Sequence, residues 1–97
     1  MITTEARVTT ATPERYVTRL CKHFAHKTDA TWEGSHGQMV FPGGTCTLDA
    51  EPGVLVLRMS GEDAGSVLRL EDVVARHLIR FAEGREELVV SWSRGDA

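Results

Sequence analysis

The sequence predicts a single α+β domain over residues 1–97, with two helices packed on one face of a curved antiparallel sheet and elements in the order β-α-β-β-β-β-α-β. Three observations carry that expectation. Two segments place apolar residues at helical spacing. Between them, four short strand-like segments are divided by turns containing Gly or Pro. The length, 97 residues, leaves room for one hydrophobic core and no second domain. Strands this close in sequence pair most simply as an antiparallel meander, which leaves one face of the sheet for the helices.

Each element has its own local reason. Thr3 to Thr10, rich in Thr and centred on Val8, reads as a first strand. Thr12-Pro13-Glu14 then starts a helix, with Thr12 as N-cap and Pro13 at the first helical position, where its missing N–H is no loss. Tyr16, Val17, Leu20, Cys21 and Phe24 form its apolar face, and the helix is expected to end near Lys27. Ala30 to Glu33 and Gln38 to Phe41 are the next strands, with Gly34-Ser35-His36-Gly37 as the turn between them. In Thr45 to Ala50, Cys46, Leu48 and Ala50 point one way and Thr45, Thr47 and Asp49 the other, so one sheet face should be polar and partly exposed. Val54 to Ser60 follows the turn Glu51-Pro52-Gly53. Ser60 caps a second helix running to about Glu83, stopped by Gly84, with Val67, Leu70, Val74, Leu78 and Phe81 on its apolar face. Leu88, Val90 and Trp92 alternate with Val89 and Ser91 in a last strand before a polar tail.

Composition narrows the function. Hydrophobic residues are 41% and charged residues 26%, ordinary values for a globular protein, and the formal charge of −3 argues against nucleic acid as the partner. No apolar run is long enough to span a bilayer, and the N-terminus lacks the layout of a signal peptide. With only Cys21 and Cys46, no disulfide framework is available, so a reduced, cytoplasmic protein is expected. Cys46 reads as a small buried hydrophobe. A Cys21–Cys46 bond is sterically conceivable, but that compartment would keep it reduced.

The densest group of reactive side chains is Leu20-Cys21-Lys22-His23-Phe24-Ala25-His26-Lys27. His23 and His26, three apart on a helix, can converge on one ion. A stable zinc site wants three or four ligands, and Cys21 falls on the far side of the apolar stripe from His26. The alternative is structural: Cys21 in the core, His23 at its border and His26 finishing the helix. His77 shares the side of Leu70, Val74 and Phe81, so it is expected to be largely buried between helix and sheet. It is either a satisfied core histidine or one that meets His23 in a crevice between adjacent helices. Arg15, Arg19, Lys22 and Lys27 against the single Glu14 make the first helix locally basic in an acidic chain, fit for an anionic ligand or an acidic protein surface, or else an ordinary solvated face. Leu68, Ala75 and Ile79 form a minor apolar stripe on the second helix, a contact within the domain or a patch for a partner. The adjacent carboxylates Glu71-Asp72 and Glu86-Glu87 read as solvated, and no serine elbow or phosphate-cradling glycine loop is present, so nothing asks for an enzyme.

Residues 20–27 and Leu70-Glu71-Asp72-Val73-Val74-Ala75-Arg76-His77-Leu78-Ile79-Arg80-Phe81, with Phe41-Pro42-Gly43-Gly44-Thr45-Cys46 and Leu88-Val89-Val90-Ser91-Trp92, carry a family resemblance over nearly the whole chain. The sequence resembles the bacterial domain of unknown function 2218 family. Members of that family are small stand-alone proteins, or lie beside or joined to siderophore-interacting flavoproteins that reduce ferric chelates. The resemblance implies a place near iron acquisition and a siderophore-interacting reductase as a partner, and it brings no activity with it. These 97 residues hold no flavin-binding region, so they are not expected to perform the reduction themselves.

The resulting expectation is a non-catalytic binding or accessory module without a cofactor, whose candidate binding residues are Arg15, Arg19, Lys22, His23, His26 and His77. The alternative is a metal- or haem-binding protein using His23 and His26 with His77. A small enzyme with an unrecognised site ranks third, its cue a deep polar pocket at His23 and His77.

Overall fold

The computed structural model describes residues 1–94, and the end of the expected polar tail lies outside them. The elements are β1 (Ile2–Thr9), α1 (Pro13–Phe24), β2 (Asp29–Glu33), β3 (His36–Phe41), β4 (Gly44–Glu51), β5 (Val54–Gly61), α2 (Ala64–Phe81) and β6 (Ser93–Arg94). They match the expected order. The strands form one antiparallel sheet in the order β2-β3-β4-β5-β1-β6, so β1 closes onto β5 and the chain's first strand lies near the far edge.

Register decides which residues meet the helices. Leu48 pairs with both Gly37 and Leu57, Cys46 with both Met39 and Met59, and Ala6 with Leu57, which puts all of them on one face. Met39, Cys46, Leu48, Leu55, Leu57, Met59 and Val8 are completely buried there, against Val17, Leu20, Val74 and Leu78 of the helices. Burial at roughly 25 cal/mol per Å² of apolar surface is the main stabilising term. α1 lies over β2, β3 and β4, and α2 over β5 and β1, on this same side. Two close approaches fix these positions. A Cβ on Gly37 would stand 2.7 Å from Cys21 Sγ, and one on Gly61 would stand 2.9 Å from Val67 Cγ2. Gly37 is therefore a strand residue lying under α1, not the end of a turn; β3 begins at His36, two residues before the expected start.

The opposite face is polar and ion-paired. Arg58 Nε donates to Glu5 Oε1 at 2.9 Å, Arg7 reaches Glu51 at 3.2 Å, and His36 meets Asp49 at 2.6 Å across the strands.

Four local expectations are corrected. α1 ends at Phe24, its last core residue, and Lys27 N and Thr28 N both donate to Phe24 O to close the turn. Asp63, not Ser60, caps α2: its Oδ1 accepts from Ser66 N at 2.8 Å. Leu88 is buried and Val90 and Trp92 pack on the core, but only Ser93 and Arg94 pair with β1, opposite Glu5 and Thr4. Finally, Glu71 is not solvated, and Glu86, half-exposed, is bonded within the domain. Glu86 Oε2 accepts from Tyr16 Oη at 2.7 Å and Thr10 Oγ1 at 2.8 Å, and Glu71 is buried on α2.

Candidate functional site

The helical periods of α1 put Arg15, Arg19 and Lys22 (spacings of four and three) on one exposed stripe, flanked by His23 on the side that faces α2. Arg19, Lys22, His23 and His26, with Phe81 of α2, line a shallow groove. Arg15 stands outside it, at the other end of the helix, in a cavity with Thr12, Pro13 and the Glu51-Pro52-Gly53 turn. The structure thus brings together four of the six residues singled out in the sequence, adds His77 beneath them, and sets Arg15 apart.

The contact between the helices is made of rings. His23 and His77 have centroids 4.9 Å apart, and His23 also lies 5.0 Å from Phe24 and 5.4 Å from Phe81. Phe24 packs in turn on His77 at 5.0 Å and on Phe41 at 5.3 Å. The Arg19 guanidinium stands 4.8 Å from the Phe81 centroid, within cation–π range. Phe81 was read in the sequence only as part of the α2 core face. Its place four residues after His77, on the same side of the helix, was the available signal.

His77 is half-buried and faces α1, rather than lying sealed between helix and sheet. Its Nδ1 lies 2.7 Å from Val73 O. A carbonyl only accepts, so Nδ1 carries a proton and donates, which leaves Nε2 as the free position of the ring. His23 is held below the ordinary imidazole value, first by burial against the rings and then by His77, Lys27, His26 and Arg19. Every charged neighbour in that set is cationic or becomes so on protonation.

Two further features bear on chemistry. Among the described residues, no group of three or more His, Cys, Asp or Glu gathers as a metal site. Cys21 and Cys46 are free, buried thiols: burial pushes Cys21 up to about 11, and burial with Cys21 nearby raises Cys46 further. No helix among the described residues is long and apolar enough to cross a membrane.

Comparison with known proteins then places the chain. The model of a bacterial family described as "Uncharacterized protein conserved in bacteria (DUF2218)" matches residues 5–93. The chain belongs to the DUF2218 family. The fold agrees with the NMR structure of PA4090 from Pseudomonas aeruginosa, at 33% identity and a TM-score of 0.80, covering 96% of each chain. No curated protein matches. Four of the groove residues of this DUF2218 member, Lys22, His23, His26 and Phe81, come from 20–27 and 70–81, the stretches that carried the resemblance most strongly, and Arg19 immediately precedes the first.

Proposed function

We propose that this domain is a non-catalytic binding module that receives an anionic group in the groove between α1 and α2, with Arg19, Lys22, His23 and His26 as its contacts. One observation carries the reading. The cations of the open sheet face, Arg7 and Arg58, are neutralised by Glu5 and Glu51, whereas Arg15, Arg19, Lys22 and Lys27 enter no ion pair among the described residues. Arg69, Arg80 and Arg85 enter none either, but they share their segment with Glu71, Asp72, Glu83, Glu86 and Glu87, whereas Glu14 is the one acid among residues 13–27. Such a locally basic segment of an acidic chain attracts oxyanions and speeds their association. A small oxyanion and an acidic protein surface offer the same chemistry to this groove. Service in iron handling, with a siderophore-interacting reductase as partner, is a finer reading supported by the family resemblance, and a negatively charged ferric chelate would suit the same cations.

Calorimetric titration with inorganic tripolyphosphate and, separately, a hexaglutamate peptide tests the proposal and distinguishes the two sources. Binding of either is expected, weakened by added salt and lost in Arg19→Glu/Lys22→Glu with the unfolding midpoint unchanged. Undiminished binding by that variant, or no binding of either probe, overturns the reading. The approach of His23 to His77 is the one feature favouring metal or haem instead. A stoichiometric iron, zinc or haem lost in His23→Ala would put that reading first.

A further inference from the structure

We infer that the groove takes up a proton together with its anion, and that the imidazole of His23, packed against His77, receives it. This deepens the binding proposal and rests on it, since it concerns the regulation of the same site.

The geometry sets up the coupling. Two rings from different helices stand 4.9 Å apart, so the His77 ring adds to the surroundings that disfavour a proton on His23. The charged and titratable groups facing them are Arg19 of α1, His26 and Lys27 of the turn after it, and the two rings themselves, with Lys22 on the groove wall. None of these is a carboxylate. In the empty groove, adding a proton therefore adds charge to a field that is already positive and partly desolvated, and the neutral form of His23 is favoured. An oxyanion lying between Arg19, Lys22 and His23 reverses that local field and favours the charged imidazole.

His77 serves as a fixed neighbour. Its Nδ1–H donates to Val73 O, which orients the ring against His23 and keeps the α1–α2 contact in place.

The sign follows from linkage. The bound state holds the proton more tightly than the free state, so affinity is highest at a pH below the free imidazole value. It declines as pH rises through the bound value. For one imidazole facing an oxyanion in a solvent-open groove, the expected loss is about tenfold between about pH 5.5 and about pH 8.

Sulfate is the suitable probe, because it keeps two negative charges across this range and every pH dependence then belongs to the protein. Sulfate binding is measured by NMR at constant ionic strength, following α1 amides and the imidazole carbons. The expected results are about tenfold tighter binding at the lower pH and a His23 titration that moves to higher pH in sulfate. His36, on the opposite face and bonded to Asp49, should not respond. His23→Gln, at an exposed position, should remove most of the pH dependence, and His36→Gln, on the opposite face, should keep it. Equal affinity at the two pH values, or a dependence retained in full by His23→Gln, overturns the inference while leaving the binding proposal standing. No sulfate binding at either pH overturns the inference, and the binding proposal falls with it only if tripolyphosphate and hexaglutamate also fail to bind.

Discussion

Replacing Tyr16 by Phe removes one hydroxyl from the interior and nothing else. Tyr16 is 1% exposed, and its hydroxyl donates to Glu86 Oε2 at 2.7 Å; Thr10 Oγ1 donates to the same oxygen at 2.8 Å. One carboxylate thus ties the segment after α2 to α1 and to the end of β1, holding the helix that carries the basic stripe. A hydrogen bond to a charged acceptor is worth about 1.5–3 kcal/mol, and Glu86 is half-exposed, so water offsets part of the loss and Tyr16→Phe should cost about 1–2 kcal/mol. In a domain of this size that lowers the melting temperature by roughly 5–10 °C. The assay is urea unfolding of both proteins across acid and neutral pH. Tyr16 and then Thr10 hold the Glu86 carboxyl below its ordinary value. The group therefore adds stability above the unfolded carboxylate range, and that contribution is lost as pH falls through the lowered folded value. The gap between wild type and Tyr16→Phe should be complete at neutral pH and narrow in acid. Equal midpoints at neutral pH, or a gap that widens on acidification, would refute the reasoning.

Other outcomes follow from the same contacts. His77→Ala should lose about 1–2 kcal/mol, through its ring contacts. No buried group is orphaned, because Val73 O keeps its helical bond; exposed His26→Ala should change stability by at most about 0.5 kcal/mol in the same urea assay. Gly37→Ala drives a Cβ to 2.7 Å from Cys21 Sγ and should cost about 1–3 kcal/mol. In a Cys21→Ala background that loss should shrink by more than about 0.5 kcal/mol, so an additive double-mutant cycle would contradict the packing described. Cys21 and Cys46, both buried and with raised pKa values, should react with a thiol reagent at neutral pH only as fast as the protein opens, and promptly once it is denatured.

Much of this architecture was legible in the residues themselves. Pro13 marked the start of α1, the alternation of Thr45 to Ala50 gave the two faces of β4, and Glu51-Pro52-Gly53 placed the turn before β5. What escaped depends on tertiary contact. Gly37 looks like a turn residue until α1 is laid over it, when absence of a side chain becomes the requirement. Leu88, Val90 and Trp92 alternate because the chain runs extended with one side on the core; that pattern demands burial, not a hydrogen-bonded ladder, and the ladder begins only at Ser93. Glu86 carries no local sign of its two donors, which lie 70 and 76 residues away. For the groove, the spacing of Arg15, Arg19 and Lys22 and the pairing of His23 with His77 were readable from helix faces. The share of Phe81 and the separation of Arg15 needed the angle between the helices.

The central claim is that the unpaired cations of α1 are the anion-binding face. The most direct measurement is an amide NMR map of the protein titrated with inorganic tripolyphosphate at low salt. The account predicts shifts concentrated between Arg19 and Lys27 and around His77 to Phe81, with the paired Arg7 and Arg58 silent. Shifts centred on the open sheet face, or spread evenly over every exposed cation, would contradict it.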